Sequence, residues 1–247
     1  MTGSASREAG EFSGFRPAAA TFLRALGRNN DREWFTRHRD TYESELRTPL
    51  AALVEEVDVR LATLAPEIVG DPKRSLFRIH RDVRFSADKS PYKTHVACWF
   101  HHVDAGRGVG SAAPHGGAGF YFHMEASRAS IGGGIWMPPR PTLQRLREAI
   151  DENPRGISRI LGDAAFRRRY GELAQESALT RMPRGYPETH PAAALLRLQS
   201  FTAGKTLTAR DLSSARLPDV LAREYERMLP LVRWINGALG LRTLARR

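Results

Sequence analysis

The sequence predicts an α+β protein with a central antiparallel sheet packed with N-terminal and C-terminal helices. Apolar residues recur at helical spacing up to about residue 64, alternate with a period of two from Leu76 to Met137, and then return to helical spacing. Strands grouped between two blocks of helices are typical of α+β folds. Their short connections favour antiparallel pairing.

Local signals support helices in both blocks. A helix is predicted to begin at Pro17, because a proline at the first helical position loses no hydrogen bond. Asn30 is the predicted N-cap of the next helix, and Glu33 would complete a capping box. An apolar stripe follows, and Pro49 within it predicts a kink or two abutting helices. The C-terminal block has an amphipathic segment, TLQRLREAIDENP, shorter helices after it, and a last helix over about 217–239.

Period-two alternation gives the predicted sheet an apolar face and a polar face. The first strand would place Phe77, Ile79, Val83 and Phe85 on its apolar side. The polar side of the next two strands carries His95, Trp99, His101, Tyr121, His123 and Glu125. This polar face is either a small-ligand cleft or the solvated side of a half-buried sheet. The triple glycine in SIGGGIW predicts a bulge or a close backbone approach, and a bulge is favoured over an anion nest.

Composition and charge restrict the class of protein. The 247 residues are 41% hydrophobic and 26% charged, which is typical of a soluble globular protein. No apolar run approaches the roughly 20 residues that a membrane-spanning helix requires, and no secretory signal is visible. A cytoplasmic protein without membrane association is therefore expected. The polar residues 1–14 are predicted to be disordered, and residues 15–247 to form one domain. The single cysteine, Cys98, excludes an internal disulfide. A net charge of +11 would attract nucleic acid, but arginine is spread along the whole chain, so charge does not decide the partner.

The densest cluster of charged residues is the segment RIHRDVRFSADKSPY, which runs from Arg78 to Tyr92. It fits the pattern R-x-x-R-D-x-R-F-x-x-x-K-x-x-Y at every fixed position and resembles the family known as domain of unknown function 2461. The blocks NNDREWF, GFYFHME, GGGIWMPP and MPRGYPETHP extend the resemblance over nearly the whole chain from Phe15. The resemblance implies no biochemical activity. The glycine-rich stretch 104–119 is longer than is usual in the family, and no role is predicted for it.

The favoured interpretation of the segment is a cleft that binds a small phosphorylated or carboxylated ligand. Guanidinium groups bind such anions in bidentate fashion, and lysine adds a mobile charge. The predicted ligand-binding residues are Arg78, Arg84, Lys89, Lys93, Trp136 and Arg184. The sequence leaves open whether the chain is an enzyme. In an enzyme, Asp82 or His123 would accept a proton and Tyr92 would donate one.

Two other interpretations stay open. In a purely structural salt-bridge lattice, Arg81 is a buried ion-paired strut, Asp88 forms a turn and Phe85 packs with the apolar face. In a nucleic-acid-binding accessory protein, the cations would contact phosphates and Trp99, Tyr121 or Trp136 would stack on bases. The two acids among the five cations disfavour a plain phosphate-binding patch.

No metal site is predicted, and the cofactor and the oligomeric state remain unknown. His101, His123 and Glu125 could in principle hold a metal ion. Alternating spacing is expected of any solvated strand, however, and no metal-binding signature such as H-E-x-x-H supports it.

Overall fold

The computed structural model describes residues 11–105 and 116–244 and confirms the α+β class. Within these residues the sheet has five strands in the order β1-β2-β3-β4-β5, with antiparallel neighbours throughout. The strands are β1 (Ile68–Val69), β2 (His95–His102), β3 (Gly119–Glu125), β4 (Ala129–Ile135) and β5 (Phe201–Leu207). Each strand therefore pairs with its neighbours in the sequence, and the antiparallel pairing that was predicted for the sheet is confirmed.

The described helices fall into the two predicted blocks. The first contains α1 (Pro17–Arg28), α2 (Arg32–Arg37), α3 (Arg39–Tyr42), a π-helical turn (Glu43–Arg47) and α4 (Thr48–Leu64). The second contains α5 (Arg140–Glu152), α6 (Pro154–Gly162), α7 (Ala164–Tyr170), α8 (Ala193–Leu196), α9 (Ala209–Leu212) and α10 (Leu217–Ala238). The last helix matches its predicted span to within a residue at its C-terminal end.

The N-terminal signals are confirmed in part. Pro17 begins α1, and Pro49 lies in the first turn of α4, directly after the π-helical turn, so the apolar stripe is carried by abutting helical segments. The predicted cap is wrong: the side chain of Asp31, not Asn30, accepts the hydrogen bond from the backbone of Trp34. Asn30 is occupied elsewhere, because its amide both accepts from and donates to the backbone of Tyr92.

The hydrophobic core lies between one face of the sheet and the helices. The buried rings of Phe100 and Phe120 project from this face, and Phe120 stacks on Tyr225 of α10 with ring centroids 4.5 Å apart. Alternate residues of β2 and β3, among them Trp99, Tyr121 and His123, lie half-buried on the opposite face. The predicted division of these two strands into an apolar and a polar side is therefore confirmed.

The charged segment does not form the predicted strand. Two isolated bridges are formed here, Leu76 with Cys98 just before the segment and His80 with Tyr92 within it. Because His80 and Tyr92 pair in antiparallel fashion, the chain reverses direction between them. The backbone N–H of Arg81 donates to Pro91 at 2.9 Å, which closes a loop over residues 82–90. Phe85 lies at this loop and is 96% exposed, so its expected packing with the apolar face is wrong. Val83 and Phe85 lie at alternate positions, as the apolar residues of a strand do, although neither belongs to a strand.

Two further predictions about the sheet need correction. The triple glycine pairs in continuous register with β3 and β5, so it forms regular strand and not a bulge, whereas the alternative prediction of a close backbone approach is confirmed at Gly134. The strand β5 was not predicted at all, since the C-terminal part was expected to be mainly helical. Lys205 lies on its core-facing side, opposite Ile131, and interrupts the apolar alternation by which a strand is recognised.

The prediction of a disordered N-terminal segment also needs a correction. Of the segment 1–14 that was predicted to be disordered, residues 1–10 lie outside the described residues, whereas Phe12 is 2% exposed and its N–H donates to the carboxylate of Glu56. Most of the glycine-rich stretch 104–119 also lies outside the described residues. None of the described helices is long and apolar enough to cross a membrane.

Candidate functional site

The face of the sheet opposite the helical core holds a cavity of about 690 Å³. Its floor is the backbone of β3, β4 and β5 at Gly119, Gly132, Gly134 and Gly204. In the cross-strand register, Gly132 is paired with both Tyr121 and Gly204. Because these positions carry no side chains, the sheet surface itself is accessible to a flat molecule.

The strand geometry explains why most of the floor positions are glycine. A Cβ atom on Gly134 would lie 1.9 Å from the carbonyl oxygen of Phe201, and its φ of +132° is in the region that L-residues avoid. A Cβ atom on Gly204 would lie 2.4 Å from the carbonyl oxygen of Ile131. Gly132 is different, since the nearest atom to its Cβ position is one carbonyl oxygen at 3.3 Å. The bare floor therefore follows from backbone packing at Gly134 and Gly204, but not at Gly132.

Aromatic side chains form the walls of the cavity. Phe77, Trp99 and Tyr121 line one side, and the ring of Phe77 meets that of Tyr121 edge-on with centroids 5.7 Å apart. Trp136 lies at the cavity and is 61% exposed, although large aromatic residues are usually buried. The next residue, Met137, has a φ of +41°, which is a strained backbone conformation. The N–H of Met137 donates a hydrogen bond to the hydroxyl of Ser200, and this bond stabilises the conformation. Trp136 is thus held in an exposed position by a constrained turn.

One cation, Lys93, borders the aromatic wall, and the charge of Arg78 acts on it. The ammonium group of Lys93 lies 5.3 Å from the ring centroid of Phe77, which itself lines the cavity. Burial, and then the charge of neighbouring Arg78, lowers the pKa of Lys93. In the described parts of the chain neither Arg78 nor Lys93 has a carboxylate within salt-bridge distance. Like charges held together in this way are stabilised by an anion.

The remaining cations of the charged segment are engaged within the loop. Arg81 pairs with Asp88, and Arg84 binds Asp82 through two nitrogens at 2.7 and 3.0 Å. The Arg84 hydrogen bonds lower the pKa of Asp82 to about 2. Hydrogen bonds from Ser90, followed by the one from Arg81, lower the pKa of Asp88 to about 2.

Lys89 is also committed within this loop, because its ammonium group donates to the carbonyl oxygen of Val83 at 3.0 Å. The loop therefore has its own counter-charges and its own backbone contacts, as the salt-bridge lattice interpretation expects.

The other predicted site residues lie apart from the cavity. The ring of Tyr92 is buried and stacks on Phe35 with centroids 4.1 Å apart, and its backbone is held by Asn30. Arg184 is exposed on the loop before Tyr186 and is not among the residues that line the cavity. The structure thus brings Trp136 to the cavity and Lys93, on which the charge of Arg78 acts, to its border, but leaves Arg84, Lys89, Tyr92 and Arg184 outside the lining.

A chain of hydrogen bonds follows β3 along the same face. The hydroxyl of Tyr121 is 3.0 Å from Nδ1 of His123, and Nε2 of His123 is 2.9 Å from Oε1 of Glu125. The ring of His95 packs beside His123 with centroids 4.4 Å apart. Burial, followed by the charges of His123 and Lys93, lowers the pKa of His95 to about 4. Within the described residues no group of three or more histidine, cysteine, aspartate or glutamate side chains is arranged to hold a metal ion.

A comparison with protein families decides the relationship that the charged segment indicates. Residues 18–234 match the model of the family described as conserved hypothetical protein (DUF2461). The chain belongs to this family. No curated protein and no solved structure matches the chain.

The residues that match the DUF2461 model include both the charged segment and the residues that line the cavity. Only the charged segment was predicted as a site from the sequence. Phe77 was assigned to the apolar core side, and Gly132 to a bulge. Tyr121 was recognised as a polar-face residue, but its hydrogen bond to His123 was not. The available signal was the alternation of Tyr121, His123 and Glu125, which places three polar groups in a row on one face of a strand.

Proposed function

We propose that this protein binds a small organic anion in the glycine-floored cavity. The flat apolar part of the ligand lies on the backbone of Gly132 between the aromatic walls, and its phosphate or carboxylate group contacts Arg78 and Lys93. The observation that carries the proposal is the combination of a mostly apolar cavity of about 690 Å³ with a bordering cation, Lys93, and its neighbour Arg78, neither of which has a carboxylate partner among the described residues. Apolar pockets with a few well-placed polar groups are typical of small-molecule sites.

The two competing interpretations account for less of the site. A structural lattice explains Arg81 and Arg84, which are paired with Asp88 and Asp82, but among the described residues it provides no salt-bridge partner for Arg78 or Lys93. Nucleic-acid binding is weakened by the same pairs, because phosphate contacts would have to compete with them. A cavity with a bare floor between aromatic walls also suits one flat molecule better than an extended strand.

Isothermal titration calorimetry with 2-naphthyl phosphate and 2-naphthoate tests this proposal, with neutral 2-naphthol as the comparison. We expect both anions to bind more tightly than 2-naphthol. Replacing Arg78 and Lys93 together by glutamine should weaken binding of the anions about 10²–10⁴-fold, since each of the two charge-assisted hydrogen bonds contributes roughly 1.5–3 kcal/mol. The same double variant should leave 2-naphthol binding unchanged.

Two further variants separate the cavity from general surface charge. Gly132→Leu should abolish binding of all three compounds, because its side chain enters the cavity and meets little else. Arg210→Gln, which removes an exposed charge on α9, is the matched control and should change nothing. The proposal is wrong if Gly132→Leu binds the anions as the wild type does. Binding of single-stranded oligothymidylate that falls steeply with salt and survives Gly132→Leu would favour the nucleic-acid alternative.

A further inference from the structure

We propose that Tyr121, His123 and Glu125 form a catalytic relay at the cavity, in which the Tyr121 hydroxyl is the nucleophile and His123 is its general base. Glu125 is a positioning residue that holds the imidazole. The inference rests on the proposed function only for the identity of the substrate, an activated acyl or phosphoryl ester of the small anion.

The alternation of a β-strand creates the arrangement. Residues at positions i, i+2 and i+4 of β3 project to the same face, which puts the three side chains in line. The contacts are 3.0 Å from the Tyr121 hydroxyl to Nδ1 of His123 and 2.9 Å from Nε2 to Glu125. Tyr121 lines the cavity, whereas His123 and Glu125 follow it along the strand. A hydroxyl, an imidazole and a carboxylate in this order are the three parts of an activated nucleophile.

The carboxylate determines the direction of the proton. The hydrogen bond from His123 is the main cause that lowers the pKa of Glu125, so this side chain is an anion at neutral pH and can only accept. In the tautomer in which Nε2 of His123 donates to Glu125, Nδ1 offers its lone pair to the Tyr121 hydroxyl. Arg128, whose Nε lies 3.3 Å from the other oxygen of Glu125, keeps the carboxylate in place.

The groups around His123 do not oppose the transfer of a proton from the Tyr121 hydroxyl to His123. On β2, His95 packs against His123, and its pKa of about 4 keeps it neutral at pH 7. Lys93, just before β2, is the nearest cation on that side, and it acts on His95. Directly across from His123 are the uncharged residues Ala97 on β2 and Ser130 on β4. Burial raises the pKa of Tyr121 to about 12, so the phenol is neutral at pH 7 and reacts well only if a base takes its proton.

The chemical steps balance with water as the only further reactant. The Tyr121 oxygen forms a bond to the electrophilic carbon or phosphorus, its proton passes to Nδ1 of His123, and the leaving group departs with the bonding electrons. The imidazolium that results is stabilised by Glu125 and returns its proton to the leaving group. Water then attacks the tyrosyl ester, with His123 again accepting a proton, and releases free Tyr121.

Benzenesulfonyl fluoride is a suitable probe, because it is small and uncharged and reports the nucleophilicity of tyrosine directly. The Tyr121 oxygen replaces fluoride on sulfur, and His123 takes the proton. Peptide mass spectrometry then gives the labelling rate of each tyrosine in the same sample. We expect Tyr121 to be labelled fastest, with a rate that levels off well below the pKa of the phenol. A phenol without a base would instead react faster and faster up to its own pKa of about 12.

A second cluster in the chain provides an internal control. Tyr186, His190 and Asp151 also combine a phenol, an imidazole and a carboxylate, and His190 binds Asp151 at 3.1 Å. The hydroxyl of Tyr186, however, meets Gln144 and not the imidazole. Tyr186 should therefore be labelled slowly, and His190→Gln should leave the labelling of Tyr121 unchanged.

Variants of the relay itself distinguish catalysis from packing. His123→Gln should slow the labelling of Tyr121 about 10²-fold, the usual contribution of a general base. Glu125→Gln should slow it less and move its pH profile, and Glu125→Asp should restore part of the rate. The relay is refuted if Tyr121 reacts no faster than Tyr186, or if the wild-type rate keeps rising towards pH 12, a result that needs no variant to fold.

The nature of the transferred group is decided by two substrates, p-nitrophenyl acetate and p-nitrophenyl phosphate. Release of p-nitrophenolate from the first alone indicates acyl transfer, and from the second alone phosphoryl transfer. Failure of the relay and failure of anion binding are distinguishable, because the sulfonyl fluoride is neutral and calorimetry involves no reaction. Labelling without naphthyl phosphate binding would overturn only the binding proposal, and binding without selective labelling only the relay.

Discussion

Replacing His95 by glutamine is expected to protect the protein against acid. The imidazole packs beside His123 and near Lys93, and its pKa is lowered to about 4 from the 6.5 of a free histidine. The folded protein therefore binds this proton less tightly than the unfolded chain does. As the pH falls from about 6.5 to 4, the unfolded state gains protons first, and the folded state loses stability.

The size of the effect follows from the shift. A displacement from 6.5 to about 4 is worth roughly 3 kcal/mol if each pKa unit contributes about 1.4 kcal/mol. Because the ring is only half-buried, solvent screening reduces this to about 1–2 kcal/mol. The loss is absent above pH 6.5 and complete below pH 4.

Urea denaturation monitored by circular dichroism at several pH values between 7.5 and 4 measures this difference. The free energies of unfolding of the wild type and His95→Gln should change in parallel above pH 6.5 and diverge by about 1–2 kcal/mol at pH 4, with the variant more stable. His80→Gln, at an exposed histidine, is the control and should follow the wild type. Parallel curves for wild type and His95→Gln over the whole range would refute the reasoning.

Four further substitutions test the packing of the fold and of the cavity floor, each by urea denaturation. Gly134→Ala should lose about 2–3 kcal/mol, because its Cβ would lie 1.9 Å from a carbonyl oxygen at a positive φ, whereas Gly132→Ala should stay within about 1 kcal/mol; equal losses would contradict the geometry. Asn30→Ala should cost about 2 kcal/mol by freeing the backbone N–H and carbonyl of Tyr92, and an unchanged midpoint would mean that water replaces the amide. Glu224→Gln should cost about 3 kcal/mol, since this buried carboxylate binds Arg169 and lies near Lys205, and a stabilised variant would exclude that role.

The sequence predicted the fold wherever burial produces a clear period. The helices and the alternating strands β2 and β3 follow from apolar residues at helical or alternate spacing. It failed at β5, where Lys205 faces the core and Gly204 has a low strand propensity. It also failed at Phe85, because hydropathy cannot distinguish an exposed phenylalanine of a loop from one on a strand.

The sequence predicted which chemical groups the site contains, but not how they are arranged. The charged segment and the polar alternation of β3 were both visible, since they depend on residue type and spacing. Whether Arg84 meets Asp82 or a ligand depends on a turn that a single sequence does not determine. Likewise, the bare floor at Gly134 and Gly204 depends on how closely a neighbouring carbonyl approaches, which only the paired strands reveal.

A crystal structure with 2-naphthyl phosphate is the most direct measurement of the central claim. The account predicts the naphthyl ring on the backbone of Gly132, beside Trp99 and Trp136, with phosphate oxygens about 3 Å from nitrogens of Arg78 and Lys93. A ligand that binds with its ring outside this cavity, or with its phosphate away from both cations, would contradict it.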